Sequence, residues 1–120
     1  MEPIAVGIVG FGNVGRELAR RLVAGAIPNM LLVGVSSRNL EETRKRAEVV
    51  APDLPVMTLA ELVEASTVIA ECATAPSMQE IARFVLGHGR RLVCVSAGGL
   101  VDTAELETLA RQNGDRKSVV

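Results

Sequence analysis

The spacing of three glycines gives this sequence its clearest chemical signal. Gly10, Gly12 and Gly15 follow a short apolar run and open an amphipathic stretch, so they form G-x-G-x-x-G between an expected strand and an expected helix. In that context the first glycine allows a tight turn, the second admits a pyrophosphate, and the third lets the helix pack on the sheet. A bare strand-to-helix turn is the alternative. We favour a dinucleotide site formed by Gly10, Phe11, Gly12, Asn13, Val14 and Gly15.

A second signal lies about 20 residues further on, where NAD-binding domains place an acidic residue against the ribose 2′-hydroxyl. Ser36, Ser37 and Arg38 stand there, with no carboxylate to repel a 2′-phosphate. Two hydroxyls can donate to that phosphate, and a guanidinium can bind it in a bidentate manner. We therefore expect NADP as the cofactor, with NAD as the alternative because sites of dual specificity also lack the acid. The charged run at residues 44–46 is interpreted as a solvated helix face.

Small residues follow two later apolar runs and complete the candidate cofactor site. Cys72, Ala73 and Thr74 come after one expected strand, and Ser96 and Gly98 come after the next. The carboxyl ends of strands beside a switch point are where ligands lie in open α/β sheets, so these residues can line the nicotinamide side. Simple turns between strand and helix would use the same residue types.

The sequence offers no candidate for catalysis or metal binding. Neither Cys72 nor Cys94 has a histidine or a second cysteine at ligand spacing, so both are interpreted as small buried thiols. His88 is the single histidine and lies between two glycines at an expected helix end. An imidazole there can interact with the terminal carbonyls of the helix. We predict no catalytic residue and no metal ligand.

The elements that must position these residues alternate along the whole chain. Short apolar runs are separated by longer amphipathic stretches, which is typical of βαβ units. This order predicts an α/β fold of Rossmann type, a doubly wound parallel sheet with strand order 3-2-1-4-5 and a truncated or missing sixth strand. The expected strands cover residues 4–9, 31–35, 56–57, 67–71 and 92–95. The expected helices cover residues 13–24, about 40–50, 59–65, about 76–87 and about 103–112.

Length and composition fit one such domain. The 120 residues are 48% hydrophobic and 22% charged, so residues 1–120 are expected to form a single globular unit. The net charge of −1 and the presence of only two aromatic residues argue against a nucleic-acid partner. No apolar run approaches the roughly 18 residues of a membrane span. With two cysteines and no basic, apolar leader, we expect a cytoplasmic protein.

Three stretches give the sequence a family resemblance. Residues 6–15 (VGIVGFGNVG), 68–73 (VIAECA) and 95–102 (VSAGGLVD) resemble the NAD(P)-binding domain of L-aspartate dehydrogenases. Homoserine dehydrogenase N-terminal domains are similar but less close. The resemblance implies an oxidoreductase that deaminates L-aspartate to iminosuccinate and oxaloacetate, or runs the reverse reaction, with hydride moving to or from nicotinamide.

The resemblance also implies what the chain should lack. In that family a substrate domain follows the cofactor domain and carries the catalytic histidine, and we expect residues 1–120 to contain only the cofactor domain. The chain alone should then turn over nothing, and its exposed sheet edge would allow a homo-oligomer.

Other functions remain in view. A non-catalytic NAD(P) sensor is one alternative, although such domains usually keep an acid where this chain has Ser36. A degenerate scaffold without nucleotide is another. Sugar-type oxidoreductases with the same element order carry Glu-Lys-Pro where residues 96–98 read Ser-Ala-Gly, which excludes that assignment.

Overall fold

The computed structural model describes residues 2–73 and 75–94, which form a parallel sheet with helices on both faces. The sheet has the strand order β2-β1-β3-β4, and every neighbouring pair is parallel. Its strands are β1 (Ile4–Val9), β2 (Met30–Ser36), β3 (Val68–Glu71) and β4 (Arg91–Cys94). The helices are α1 (Asn13–Val23), α2 (Leu40–Val50), α3 (Leu59–Ala65) and α4 (Ala75–Gly87).

The two faces of the sheet carry separate apolar cores, because side chains of a strand alternate between faces. Ile8 of β1 packs with Ala19 and Leu22 of α1 and Ala47 of α2. The other face packs against α3 and α4, and its fully buried side chains include Leu62, Ile69, Met78, Val85 and Leu86. Burial on both sides explains why the strands are apolar runs rather than alternating ones.

The predicted third strand is the main correction to the fold. Val56 forms a single parallel bridge with Val35, so the five-stranded order 3-2-1-4-5 is not confirmed. The reason lies in the neighbouring residues. Pro55 has no N–H to donate, and Thr58 is already the N-cap of α3, which leaves only two residues for pairing.

Other boundaries differ by a residue or two from the expected ones. β2 is one residue longer at each end, and α1 ends at Val23 with Ala24 as its C-cap. The helix expected over about 103–112 and any sixth strand lie outside the described residues. Within the described ranges, every helix is too short or too polar to cross a bilayer.

Candidate functional site

The glycine turn is fixed by its contacts with two neighbouring strand ends. Gly10 has a φ of 92°, a left-handed conformation that favours glycine. Its N–H donates to the Ser36 carbonyl at 2.8 Å, and an added Cβ would overlap the backbone of Ala73. A Cβ on Gly15 would overlap the Gly10 carbonyl, so α1 packs directly on the turn. Both glycines are required by backbone packing.

Gly12 differs, because an added Cβ would meet nothing within 4 Å. Its carbonyl accepts the first hydrogen bond of α1, from Arg16 N–H at 3.0 Å, and the helix has no side-chain cap. Within the described part of the chain, no hydrogen bond takes the N–H groups of Gly12, Asn13 or Val14. The start of α1 therefore keeps free donors and open space beside them.

An open cleft of about 630 Å³ runs along the carboxyl ends of the strands. It lies at the switch point between β1 and β3, from which the chain proceeds to opposite sides of the sheet. The predicted residues that line this cleft are Gly10, Phe11, Gly12, Ser36, Ser37, Arg38, Cys72 and Ala73. Asn13, Val14 and Gly15 form the first turn of α1 instead of lining it. Thr74, Ser96 and Gly98 lie outside the described residues.

The side chain of Ser37, just after β2, already has a hydrogen-bond partner. Ser37 Oγ lies 2.6 Å from Thr43 Oγ1, which itself donates to the Asn39 carbonyl at 2.8 Å. Because the threonine hydroxyl has a single proton, Ser37 must be the donor of the first bond. Ser36 is only 3% exposed. The structure thus leaves Ser37 able to accept a hydrogen bond from a ligand but with its own proton in use.

Arg38 reaches across the cleft to helix α4. Its Nη2 donates to Ser77 Oγ at 2.6 Å, and the serine is buried. A guanidinium has five N–H donors in a fixed planar fork, so this contact leaves most of them available. The guanidinium remains at the cleft, as the sequence predicts for a phosphate ligand.

Arg46 is a cleft residue that sequence reasoning missed. The interpretation of residues 44–46 as a solvated face is wrong for Arg46, because its Nη1 donates to the Phe11 carbonyl at 3.2 Å. The signal was available in the helix period. Thr43 and Ala47 are the buried positions of α2, and Arg46 lies between them on the same side of the helix.

Helices α3 and α4 supply an apolar wall that the sequence analysis did not assign to the cofactor site. Leu59, Ile81 and Phe84 line the cleft, and Leu40 adds to it from α2. Glu80 of α4 is the acidic side chain among the described lining residues. The cleft therefore combines a polar, glycine-lined part with an apolar part, which is the composition that small-molecule sites commonly have.

Two half-buried thiols and a buried carboxyl lie near the strand ends. Burial, and then the negative charge of Glu71, raise the pKa of Cys72 to about 11, and the same causes raise the pKa of Cys94 to about 11. Both thiols therefore stay protonated near neutral pH, which makes thiolate chemistry unfavourable. Glu71 Oε2 accepts from the Ala73 N–H at 2.8 Å and so holds the loop that contacts Gly10.

His88 lies at the end of α4, as expected from its flanking glycines. Its Nδ1 is 2.8 Å from the Phe84 carbonyl, and the two rings stack with centroids 4.3 Å apart. The side chain is exposed and does not line the cleft. Among residues 2–73 and 75–94, no group of three histidine, cysteine or acidic side chains could hold a metal ion.

A parallel α/β sheet with a glycine turn at its switch point defines a dinucleotide-binding domain of Rossmann type. The chain belongs to the homoserine dehydrogenase NAD-binding domain family, whose family model matches residues 10–119. It is therefore an NAD-binding domain of the dehydrogenase kind, which confirms the resemblance to the dehydrogenases named above.

Individual relatives agree with this membership. The chain is 35% identical over 104 residues to an L-aspartate dehydrogenase of Methanocella arvoryzae, a match that covers 87% of this chain and 38% of that protein. The fold is similar to a probable dehydrogenase from Thermotoga maritima, with a TM-score of 0.81, 16% identity and coverage of 97% and 35%. It is also similar to GenD2 from gentamicin A biosynthesis in complex with NAD, with a TM-score of 0.78, 23% identity and coverage of 100% and 34%. The chain spans about two-fifths of the length of the L-aspartate dehydrogenase.

Proposed function

We propose that the chain binds a nicotinamide dinucleotide with its pyrophosphate at the start of α1. The observation that carries this proposal is a set of three N–H groups, at Gly12, Asn13 and Val14, that no hydrogen bond within the described residues takes, beside a space that a Cβ on Gly12 would fill. A helix N-terminus with open donors attracts an anion through both hydrogen bonds and the helix dipole. The residues present therefore fit the group that the family binds.

The cleft offers distinct places for the parts of that ligand. The apolar wall of Leu40, Ile81 and Phe84 suits an adenine ring, and the glycine turn suits the diphosphate. Cys72 and Ala73, at the end of β3, belong to the side on which the nicotinamide ring would lie. When bound, the nicotinamide would accept or donate a hydride, and the protein's own part is to bind and orient it.

We propose NADP(H) as the preferred form of the cofactor. The end of β2 presents no carboxylate, and Arg38 keeps donors beyond the one that Ser77 accepts. Since Ser37 uses its proton on Thr43, the guanidinium rather than the hydroxyl is the expected ligand of the 2′-phosphate. NAD(H) would bind the same cleft without that contact.

For the parent reaction we propose an L-aspartate dehydrogenase-like exchange of hydride between nicotinamide and an amino or imino acid. The proposal rests on the 35% identity to the Methanocella enzyme. A homoserine dehydrogenase-like reaction is the second candidate, because the matching family model carries that description. Substrate-binding and proton-transfer groups are expected outside this chain, so NADPH oxidation with oxaloacetate and ammonium should show no turnover by the chain alone.

A direct titration tests the binding proposal. The unmodified chain should bind both NADPH and NADH, with NADPH the tighter. Gly12→Ala should lower both affinities roughly ten- to a hundredfold, because the new methyl group meets the pyrophosphate at an overpacking cost of about 1–3 kcal/mol. The same substitution at Gly87 is the matched control, since a Cβ there also meets nothing within 4 Å but lies at the far end of α4.

Two results would contradict the proposal. One is that neither dinucleotide binds the unmodified chain. The other is that Gly12→Ala and Gly87→Ala bind equally well. A dinucleotide sensor would give the same titration, so the titration tests cofactor binding and not the parent reaction. Self-association through β4, the outer strand of the sheet in the described residues, is a further proposal, which sedimentation velocity would test.

A further inference from the structure

Arg46 connects helix α2 to the glycine turn. Its Nη1 donates to the Phe11 carbonyl, 35 residues away in the sequence, and its Nη2 contacts the carboxylate of Glu42. The Arg46 side chain is 41% exposed, and it lines the cleft. One half of the guanidinium is thus held by its own helix, and the other half reaches the backbone between β1 and α1.

This contact determines the direction of a neighbouring donor. The carbonyl of Phe11 and the N–H of Gly12 belong to one peptide unit, and in a planar trans peptide they point to opposite sides. The Phe11 carbonyl is outside the hydrogen-bond ladder of α1, whose first bond is accepted by Gly12. Because the guanidinium holds the carbonyl on the α2 side, the Gly12 N–H faces away from α2.

We propose that Arg46 is a positioning residue for the pyrophosphate, a role that rests on the dinucleotide function proposed above. It fixes the peptide between Phe11 and Gly12 so that the Gly12 N–H is directed at the phosphate before the ligand arrives. A donor that is already oriented avoids the cost of ordering the turn on binding. Arg46 thereby acts on every ligand that carries the pyrophosphate, whatever its ribose.

Two other roles of Arg46 would have different effects on dinucleotide binding. A ligand of the 2′-phosphate would favour NADPH over NADH, whereas a positioning residue affects both. A general charge effect would be shared by Arg44, which is exposed on the same helix and does not line the cleft. The contact with a backbone carbonyl, instead of an open guanidinium, favours the positioning role.

The test compares Arg46→Met with Arg44→Met in titrations with NADH and NADPH. Arg46→Met should weaken both ligands about tenfold, the loss typical of one charge-assisted hydrogen bond. Arg44→Met should leave both affinities within twofold of the unmodified chain. Arg46→Lys keeps a charged donor on a side chain of similar length. It should therefore lose less affinity for both ligands than Arg46→Met does.

A measurement on the unmodified chain covers the case in which Arg46→Met fails to fold. In ¹⁵N–¹H spectra, titration with ADP should shift the Gly12 amide and the Arg46 Nε–H signals at the same ligand concentration. A Gly12 amide that does not move would overturn the proposal. So would a loss confined to NADPH, no loss in Arg46→Met, or an equal loss in Arg44→Met. If the unmodified chain bound neither dinucleotide, the proposed function itself would fail, and this result is distinct from those four.

Discussion

Helices α1 and α2 begin in opposite ways, although both start just after a strand at the same edge of the sheet. At α2, Asn39 Oδ1 accepts from the Glu42 N–H at 3.0 Å, and Glu41 and Glu42 place negative charge in the first turn. At α1, Gly12 has no side chain to accept, and the first turn has no acidic residue. The start of α2 uses the side chain of Asn39 to satisfy one of its donors, whereas no hydrogen bond within the described residues takes the first donors of α1, which the proposed ligand would use.

Helix α3 follows the pattern of α2. Thr58 Oγ1 accepts from the Glu61 N–H at 3.2 Å, and Glu61 Oε1 accepts from the Thr58 N–H at 3.0 Å, which forms a complete capping box. A side-chain cap contributes about 1 kcal/mol to stability relative to Ala, but only a few tenths of a kcal/mol relative to Gly. The missing side-chain cap of α1 is therefore a small local loss of stability, at a helix start where the proposed phosphate would bind. The difference fits the proposed role of Gly12, because a residue without a side chain leaves room for a phosphate at the start of α1.

Giving α1 a cap like that of α2 should produce the largest effect. Gly12→Asp would place an acceptor at the N-cap and a carboxylate where the pyrophosphate binds. At about 4 Å and an effective dielectric of 20, like charges repel by about 4 kcal/mol, so NADPH affinity should fall on the order of a thousandfold. Chain stability should stay within a few tenths of a kcal/mol, because Gly and Asp are both accepted at N-caps. Isothermal titration and urea unfolding measure the two quantities.

Gly12→Asn is the matched control for the charge. Asn caps as well as Asp and has nearly the same size, so it should retain only the steric part of the loss. Equal NADPH affinities for the Asp and Asn variants would show that charge repulsion at position 12 does not weaken binding, so the electrostatic difference between the starts of α1 and α2 would be wrong.

The second-largest effect concerns Ser37 and Arg38, the polar residues that precede α2. Ser37→Asp with Arg38→Ala should exchange a guanidinium for a carboxylate at the ribose end of the cleft. The affinity for NADPH should fall roughly ten- to a hundredfold, the equivalent of about 1.5–3 kcal/mol, and NADH should become the tighter ligand. Ser37 is the better position for the acid than Ser36, because Ser36 is 3% exposed and a carboxylate there would be buried.

Relative affinities from competition titrations of the two dinucleotides measure this exchange. Arg44→Ala removes a positive charge from α2 at a position outside the cleft. It should leave the ratio of the NADPH and NADH affinities unchanged. If the unmodified chain prefers NADH, or if the double variant still prefers NADPH, the assignment of the 2′-phosphate to Arg38 is wrong.

Removing the cap of α2 should affect stability rather than binding. Asn39→Ala deletes the acceptor of the Glu42 N–H and should lower the free energy of unfolding by about 1 kcal/mol. Asn39→Ser, which keeps an oxygen acceptor, should remain within a few tenths of a kcal/mol. Urea unfolding of the three chains checks the order. If folded Asn39→Ala lost more free energy of dinucleotide binding than free energy of unfolding, the division of roles between α1 and α2 would be contradicted.

The sequence predicts the parts of this contrast that are local. The G-x-G-x-x-G pattern indicates the turn, and Asn39 followed by Glu42 predicts the start of α2, because each depends on residues a few positions apart. The partners of Ser37 and Arg38 depend on how α2 and α4 pack, so Thr43 and Ser77 were not predictable as their partners. Arg46 was missed because the charged run was interpreted as one solvated face, although the helix period places Arg46 on the side of Thr43 and Ala47. The predicted third strand is reduced to a single bridge between Val35 and Val56, because pairing there is limited by Pro55 and by the cap of α3.

The smallest predicted effect is the pH dependence of the capping box of α3. The backbone N–H of Thr58, and then its hydroxyl, hold the pKa of Glu61 below its ordinary value. A lowered pKa in the folded state means that the charge of Glu61 contributes stability above its unfolded pKa, and this contribution is lost as the pH falls through the folded pKa. Glu61→Gln keeps an acceptor for the Thr58 N–H but removes the charge.

The unmodified chain should therefore unfold at a slightly higher urea concentration than Glu61→Gln near neutral pH, and the two midpoints should converge as the pH falls through the folded pKa of Glu61. Glu64→Gln makes the same change of charge on the same helix outside the cap, and its midpoint should follow the unmodified chain more closely at every pH. If the difference in urea midpoint between Glu61→Gln and the unmodified chain persisted in acid, the shape of the Glu61 side chain, and not its charge, would stabilise the start of α3. The cap of α3 would then differ from the start of α1, where we propose that an anion binds, in geometry alone.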